Sequence, residues 1–185
     1  TAPSVVYADV IAGMLKANGE YALFTDMDQA TPIQEVGKLL PYFDSQHGGF
    51  DVVIGSRSSG RKGAPFSRLI MARGMIILRS LLIGMYGISD TQCGFKMFKK
   101  GAAKKIFTKI NNLHKGFNQV SGSSVSAGFD VELLYLAQKM GFKIKEVPVE
   151  WLYVETRRVS PLHDSIQGLL ELLAIKINAL RGKYE

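Results

Sequence analysis

The chain has 185 residues, 46% hydrophobic and 21% charged, which suits one domain with a buried core and excludes a charge-rich disordered chain. Its 23 basic and 16 acidic residues give a net charge of +7, which favours anionic partners: nucleotide phosphates, nucleic acid or an acidic lipid surface. The single cysteine, Cys93, excludes an internal disulfide framework, and no signal peptide or internal repeat is visible.

The first helix is expected over Asp9 to Ala17, with Val10, Ile11, Met14 and Leu15 on one face and Asn18-Gly19 as its stop. Tyr21 to Phe24 reads as a short buried strand. It runs up to Asp26 and Asp28, at the sheet edge where open α/β folds bind ligands. Two acids one residue apart repel unless a cation sits between them. A Mg²⁺ ion carrying substrate phosphates fills that role; the alternative is a turn with solvated acids. Thr31, Pro32 and Gln34 form a capping-box start for a helix whose stripe is Ile33, Val36, Leu39, Leu40 and Phe43. Asp51 to Gly55 is a second strand, ending at Ser56-Arg57.

Ser58 to Phe66 is a basic Gly/Ser segment expected to be mobile. A long apolar helix or helix pair follows at about 67–86. Arg73 and Arg79 make it a poor transmembrane segment but a candidate interfacial one. Asp90 to Phe98 is polar at one end and aromatic at the other, with Phe95 and Phe98 assigned to the core and Cys93 read as a small buried residue. A short helix is expected from Lys99 to Lys109, then a loop from Asn111 to Gly128 around a Ser-Gly-Ser-Ser-Val-Ser tract. Phe129 to Met140 is a helix closed by Gly141. The parity of Phe142 and Ile144 differs from that of Val147, Val149 and Trp151, which suggests a bulge, and Pro148 suggests an edge strand. A second basic amphipathic helix occupies about 161–181, with Ile166, Leu169, Leu170, Leu173 and Ile177 as its stripe. His47, His114 and His163 are scattered, with no zinc-like spacing.

Four segments stand in an informative order: Phe24-Thr25-Asp26-Met27-Asp28-Gln29-Ala30-Thr31-Pro32, Gly55-Ser56-Arg57, Asp90-Thr91-Gln92-Cys93-Gly94-Phe95-Lys96 and Phe129-Asp130-Val131-Glu132-Leu133-Leu134. Together they resemble family 2 glycosyltransferases of the GT-A fold, a Rossmann-like mixed α/β sheet flanked by helices. The nearest subgroup is the polyprenyl-phosphate or dolichyl-phosphate glycosyltransferases, the glucosyl type in particular. The resemblance treats residues 1–185 as a single catalytic domain, partial at its N-terminus. Nothing before Asp9 matches the strand and acidic turn that hold the nucleotide base in such proteins, so base contacts go unassigned.

The resemblance implies inverting transfer of a hexose from UDP-glucose or GDP-mannose to a polyprenyl phosphate. Asp26 and Asp28 would hold Mg²⁺ or Mn²⁺ as a Lewis acid on the diphosphate. Ala30 stands where mannose-transferring relatives carry a helping Gln. Arg57 and Arg68 are candidates for the acceptor phosphate, since Arg grips phosphate oxygens bidentately. The alternative is that Arg68, Arg73 and Arg79 solvate one side of a helix. Asp90 is expected to orient the attacking oxygen, or else to cap a turn. Asp130 matches a position near the sugar, although acids are favoured at a helix start in any case. Gln92 and Lys96 are candidates for the donor sugar or phosphate. Arg157 and Arg158 stand where relatives place a basic loop over the diphosphate. Peripheral contact with an anionic membrane at its cytoplasmic face is implied, no nucleic acid is expected, and a homo-oligomer stays open. The rival classes are a non-catalytic, membrane-associated binding module of this fold and a transferase acting on a polysaccharide.

Overall fold

The computed structural model describes residues 3–57, 66–114, 128–152 and 161–185, without the side chains of 3–8, 66–72, 114 and 161–165. Strands β1 (Tyr21–Thr25), β2 (Val52–Ser56), β3 (Phe95–Lys99) and β4 (Ile144–Pro148) form one sheet in the order β1-β3-β2-β4. β3 runs antiparallel to both neighbours, and β2 is parallel to β4. The helices are α1 (Pro3–Lys16), α2 (Val36–Leu39), α3 (Phe66–Ile83), α4 (Lys100–His114), α5 (Gly128–Lys139) and α6 (Pro161–Leu180). The architecture is mixed α/β and consistent with the expected GT-A class.

Both faces of the sheet are covered. Val52, Ile54 and Phe98 face the larger core, with α1, α4, α5 and α6, where Phe98 and Phe107 meet edge to face at 5.4 Å. Val53, Phe95, Met97, Val147 and Val149 face a smaller core closed by Leu39 and Phe43. A strand covered on both sides shows no polar alternation. That is why β3 does not stand out as a strand in the sequence: Phe95, Lys96, Met97 and Phe98 are all buried.

Three sequence expectations are corrected. The helix expected after Thr31 is broken into a 3₁₀ turn at Ile33–Glu35, the one-turn α2 and another 3₁₀ turn at Leu40–Phe43. Pro41 lacks the N–H that would extend α2, and Pro32, with no side-chain cap, takes the N-cap position. The tighter winding rotates the stripe, so Leu39 and Phe43 are buried while Ile33 and Leu40 face solvent. β4 carries no bulge: its register with β2 is continuous from Val52 opposite Ile144 to Ser56 opposite Pro148. The change of parity instead reflects burial on two faces, Ile144 against the large core and Val147 with Val149 in the small one. Lastly, α4 extends to His114, into the expected loop. Of the segment expected to be mobile, Ser58 to Phe66, residues 58–65 lie outside the described residues, as does the Ser-rich tract, and Phe66 opens α3.

Candidate active site

Every loop of interest gathers at one end of the sheet. β1, β2 and β4 deliver their C-termini there, and antiparallel β3 delivers the loop before Phe95. Past Thr25 the chain stays tied to that loop, as the Asp26 amide donates to the Gly94 carbonyl at 2.9 Å. It then turns sharply, with Gln29 N–H donating to the Asp26 carbonyl at 3.1 Å. Gln29 has φ of 50°, a left-handed conformation uncommon outside glycine and found often at functional turns. The Asp28 carboxylate accepts the Ala30 amide at 3.1 Å, and Met27 stands fully exposed at the apex.

The Asp26 carboxyl lies directly on Gly94, where an added Cβ would fall 2.0 Å from Oδ1. Burial against this wall, and then the Asp28 charge, hold Asp26 above the ordinary carboxylate range; Asp130 adds to the shift while Lys96 and Arg57 oppose it. Asp26, Asp28, Lys96, Asp130 and Arg57 therefore share one electrostatic neighbourhood.

Asp90 and Arg57 form a bidentate ion pair. Nε donates to Oδ2 at 2.8 Å and Nη2 to Oδ1 at 2.7 Å, and the Arg57 amide adds a third bond to Oδ2 at 2.9 Å. The guanidinium also lies over the Trp151 ring, 5.8 Å from its centroid. Burial pulls the Arg57 pKa down, but bonding to Asp90 and the charge of Asp90 outweigh it and raise it further. Burial likewise pushes the Cys93 thiol up, as suits a small core residue.

The turn carrying Asp90 is held from two elements. Glu146 of β4 accepts from Ser89 N–H and Ser89 Oγ, each at 2.6 Å, and from Asp90 N–H at 3.0 Å. Arg79 of α3 donates to Thr91 Oγ1 at 3.0 Å and to the Ile88 carbonyl. Arg79 is thus buried, with burial lowering its pKa, rather than solvating the helix surface. After β4, the Val149 amide donates to the Ser56 carbonyl at 3.0 Å and the Leu152 amide to the Ala30 carbonyl at 2.7 Å, so this strand-end segment ties β2 to the acidic turn.

Lys96 is fully buried. Its Nζ donates to the Cys93 carbonyl and to Asp130 Oδ1, both at 2.6 Å, and lies 5.2 Å from the centroid of Phe24, its cross-strand neighbour. The ammonium is thus held between Asp130 and the Cys93 loop. Gln92 is exposed beside the pair, open to a ligand. The Arg68 side chain, Arg157 and Arg158 lie outside the described residues. Sequence reading missed Glu146, Arg79 and Gly94. Gly94 stood within the quoted Asp90-to-Lys96 segment and Arg79 within the apolar helix, while Glu146 left a trace as an acid on the inward parity of Ile144 in β4.

The four-stranded mixed sheet with helices on both faces is consistent with the Rossmann-like GT-A class of folds. No family model matches the chain. Curated homologues do: it is 30% identical over 180 residues to a dolichyl-phosphate β-glucosyltransferase of Dictyostelium discoideum, covering 94% of this chain and 51% of that protein. It is 32% identical over 179 residues to one from Drosophila melanogaster, covering 93% and 51%, and 30% over 179 residues to one from Homo sapiens, covering 93% and 51%. Over more than nine-tenths of its length the chain is thus similar to curated dolichyl-phosphate β-glucosyltransferases. It spans about half the length of the curated relatives it matches.

Proposed function

We propose that this protein transfers glucose, with inversion, from a nucleoside diphosphate sugar to a polyprenyl phosphate of the dolichyl type. The observation carrying this reading is the convergence of Asp26, Asp28, Arg57, Lys96 and Asp130 at one sheet end. The relatives' names supply glucose and the dolichyl phosphate.

Asp26 and Asp28 suit Mg²⁺ or Mn²⁺. Burial and then the neighbouring Asp28 charge raise the cost of ionising Asp26, a cost that a bound cation would relieve. The pair matches the mode in which one or two carboxylates share the ion with phosphate oxygens. Bound there, the ion would neutralise the charge developing on the diphosphate leaving group. The acceptor phosphate is already anionic and needs placement rather than deprotonation. Arg57 offers it: a guanidinium has five N–H donors, and Asp90 takes only Nε and Nη2 through the side chain. Asp90 orients that fork, which suits an orienting role better than general-base work.

Asp28→Asn is expected to weaken metal-dependent nucleotide binding at least about 10-fold, the loss of one charge-assisted contact, while the metal-free protein melts no lower than wild type. Thermal stabilisation by UDP or GDP with Mn²⁺ measures it. Wild-type nucleotide affinity in this variant would remove the metal assignment, and no stabilisation of the wild type by either nucleotide would remove the donor assignment.

The lipid acceptor requires a membrane approach, proposed at the cytoplasmic face. Among the described residues no helix is long and apolar enough to cross a membrane. α3 and α6 pack together, the Met75 methyl lying 3.2 Å from where a Gly168 Cβ would stand. Their outer faces expose Ile77 and Leu81 on α3, and Ile166, Leu170, Leu173, Ile177 and Leu180 on α6. Exposed Arg73, Arg181 and Lys183 accompany them. Apolar insertion and roughly 1 kcal/mol per basic residue near an anionic leaflet favour binding. Co-sedimentation with anionic vesicles is expected at low salt and should weaken as salt rises. A folded protein that stays in the supernatant at low salt, and dimerises through this face, would replace the membrane with a second copy.

A further inference from the structure

We infer that Glu146 is a positioning residue for transfer, acting on the acceptor phosphate through Asp90 and Arg57. This rests on the proposed function. The observation is a relay that starts outside the site. Glu146 sits on β4, in register with Ile54 of β2. Both of its carboxylate oxygens are engaged by one turn: Oε2 accepts Ser89 N–H, and Oε1 accepts Ser89 Oγ and Asp90 N–H. These bonds join positions 56 and 57 residues apart in sequence. The turn has no regular secondary structure of its own, so the carboxylate clamp and Arg79 set where Asp90 begins. Asp90 in turn fixes the plane of the Arg57 fork by its two side-chain bonds. A guanidinium held in one plane presents its remaining donors in one direction, which is what a phosphate oxygen requires.

The chemistry of the clamp demands a carboxylate. Its donors are two backbone N–H groups and a hydroxyl, so the side chain must accept at both oxygens. Glutamine would turn an NH₂ toward one of these donors, and aspartate is a methylene too short to reach both. An open surface pocket of about 410 Å³, lined in part by Ser56, Gly87, Ser89 and Glu146, lies beside the clamp. The clamp is therefore not backed by packing on that side, and its loss would leave Arg79 and the Arg57–Asp90 bonds to hold the turn.

The test compares Glu146→Gln, Glu146→Asp and Ser89→Ala in the intact protein, with transfer to a short polyprenyl phosphate and metal-dependent nucleotide binding measured side by side. Ser89→Ala removes one of the three bonds and keeps both backbone donors satisfied, so it covers the case in which Glu146→Gln does not fold. Glu146→Gln is expected to lower kcat/KM for the acceptor by roughly 10-fold to 100-fold, with nucleotide affinity unchanged. Ser89→Ala is expected to give a smaller loss of the same kind, within about 10-fold, and Glu146→Asp an intermediate one. Amide exchange at Ser89, Asp90 and Arg57 should quicken in Glu146→Gln while the β2 amides Val53 and Ile54 stay protected. Wild-type acceptor kinetics in a folded Glu146→Gln protein, or equal losses in nucleotide and acceptor binding, would overturn the inference. Absence of transfer in the wild type would overturn the proposed function instead, and the exchange pattern then decides the clamp by itself: unchanged exchange at Asp90 and Arg57 removes it.

Discussion

Gly94→Ala is expected to abolish metal-dependent nucleotide binding and to lower the melting temperature, although it adds a single methyl group. The new Cβ would stand 2.0–2.1 Å from Oδ1, Cγ and Oδ2 of Asp26, a separation real atoms do not adopt. Gly94 does not have a positive φ, so the barrier is steric and not one of backbone conformation. Its carbonyl also accepts the Asp26 amide at 2.9 Å, so the backbone at this point cannot retreat without breaking that bond. Either Asp26 swings out, or the end of β1 separates from the loop before β3. Forced overpacking of this kind costs about 1–3 kcal/mol, which for a chain of this size corresponds to a fall of roughly 3–10 °C in melting temperature. Nucleotide titration with and without Mn²⁺, alongside thermal melts, measures both. Metal-dependent binding at wild-type affinity would show that Asp26 is not needed where it stands.

What was legible in the sequence was what depends on local pattern. β1 declared itself by an apolar run ending in two acids, and α5 by its spacing and the Gly141 stop, where φ of +79° and the Phe142 N–H to Ala137 carbonyl bond close the helix. The acidic turn and Arg57 were readable because charged residues at strand ends stand out against the apolar run before them. β3 was not, because burial on both faces erases the alternation by which a strand is recognised. The broken helix after Thr31 was misread because its apolar spacing fits a helix while Pro41 forbids the hydrogen bonds of one. Lys96 was read as a ligand of the donor and Arg79 as a break in an apolar helix, because cations are rarely buried. Each is buried against partners distant in sequence: Asp130 lies 34 residues from Lys96, and Thr91 lies 12 residues from Arg79. Such pairings come from topology, and one sequence carries no mark of them. The Arg57–Asp90 pair belongs to the same kind, since each residue was singled out but their contact across 33 residues was not.

That contact changes what an arginine substitution should do. Arg57→Ala is expected to reduce stability as well as transfer, because Arg57 is the partner of a buried charge. Asp90 is 5% exposed, and its side chain receives three bonds from Arg57, one of them from the backbone. Removing one member of a buried ion pair costs up to about 3–5 kcal/mol, since the other charge loses a directly bonded partner. The Arg57 side chain is 23% exposed and its amide remains, so solvent and that bond reduce the loss. A fall of about 2–3 kcal/mol in stability is the expected result, or roughly 5–10 °C in melting temperature. Transfer to the acceptor should fall by about 10-fold to 150-fold through the lost phosphate contact, while hydrolysis of the sugar nucleotide is nearly unchanged. Arg57→Lys separates the two effects. A lysine restores a positive charge near Asp90 but cannot form two parallel bonds to one carboxylate, so it should recover part of the stability and little of the transfer. High salt should not mimic either substitution, because partly buried pairs are weakly screened. An Arg57→Ala protein with unchanged melting temperature would mean that Asp90 is compensated elsewhere. Loss of nucleotide binding with intact acceptor kinetics would move Arg57 to the donor side of the site.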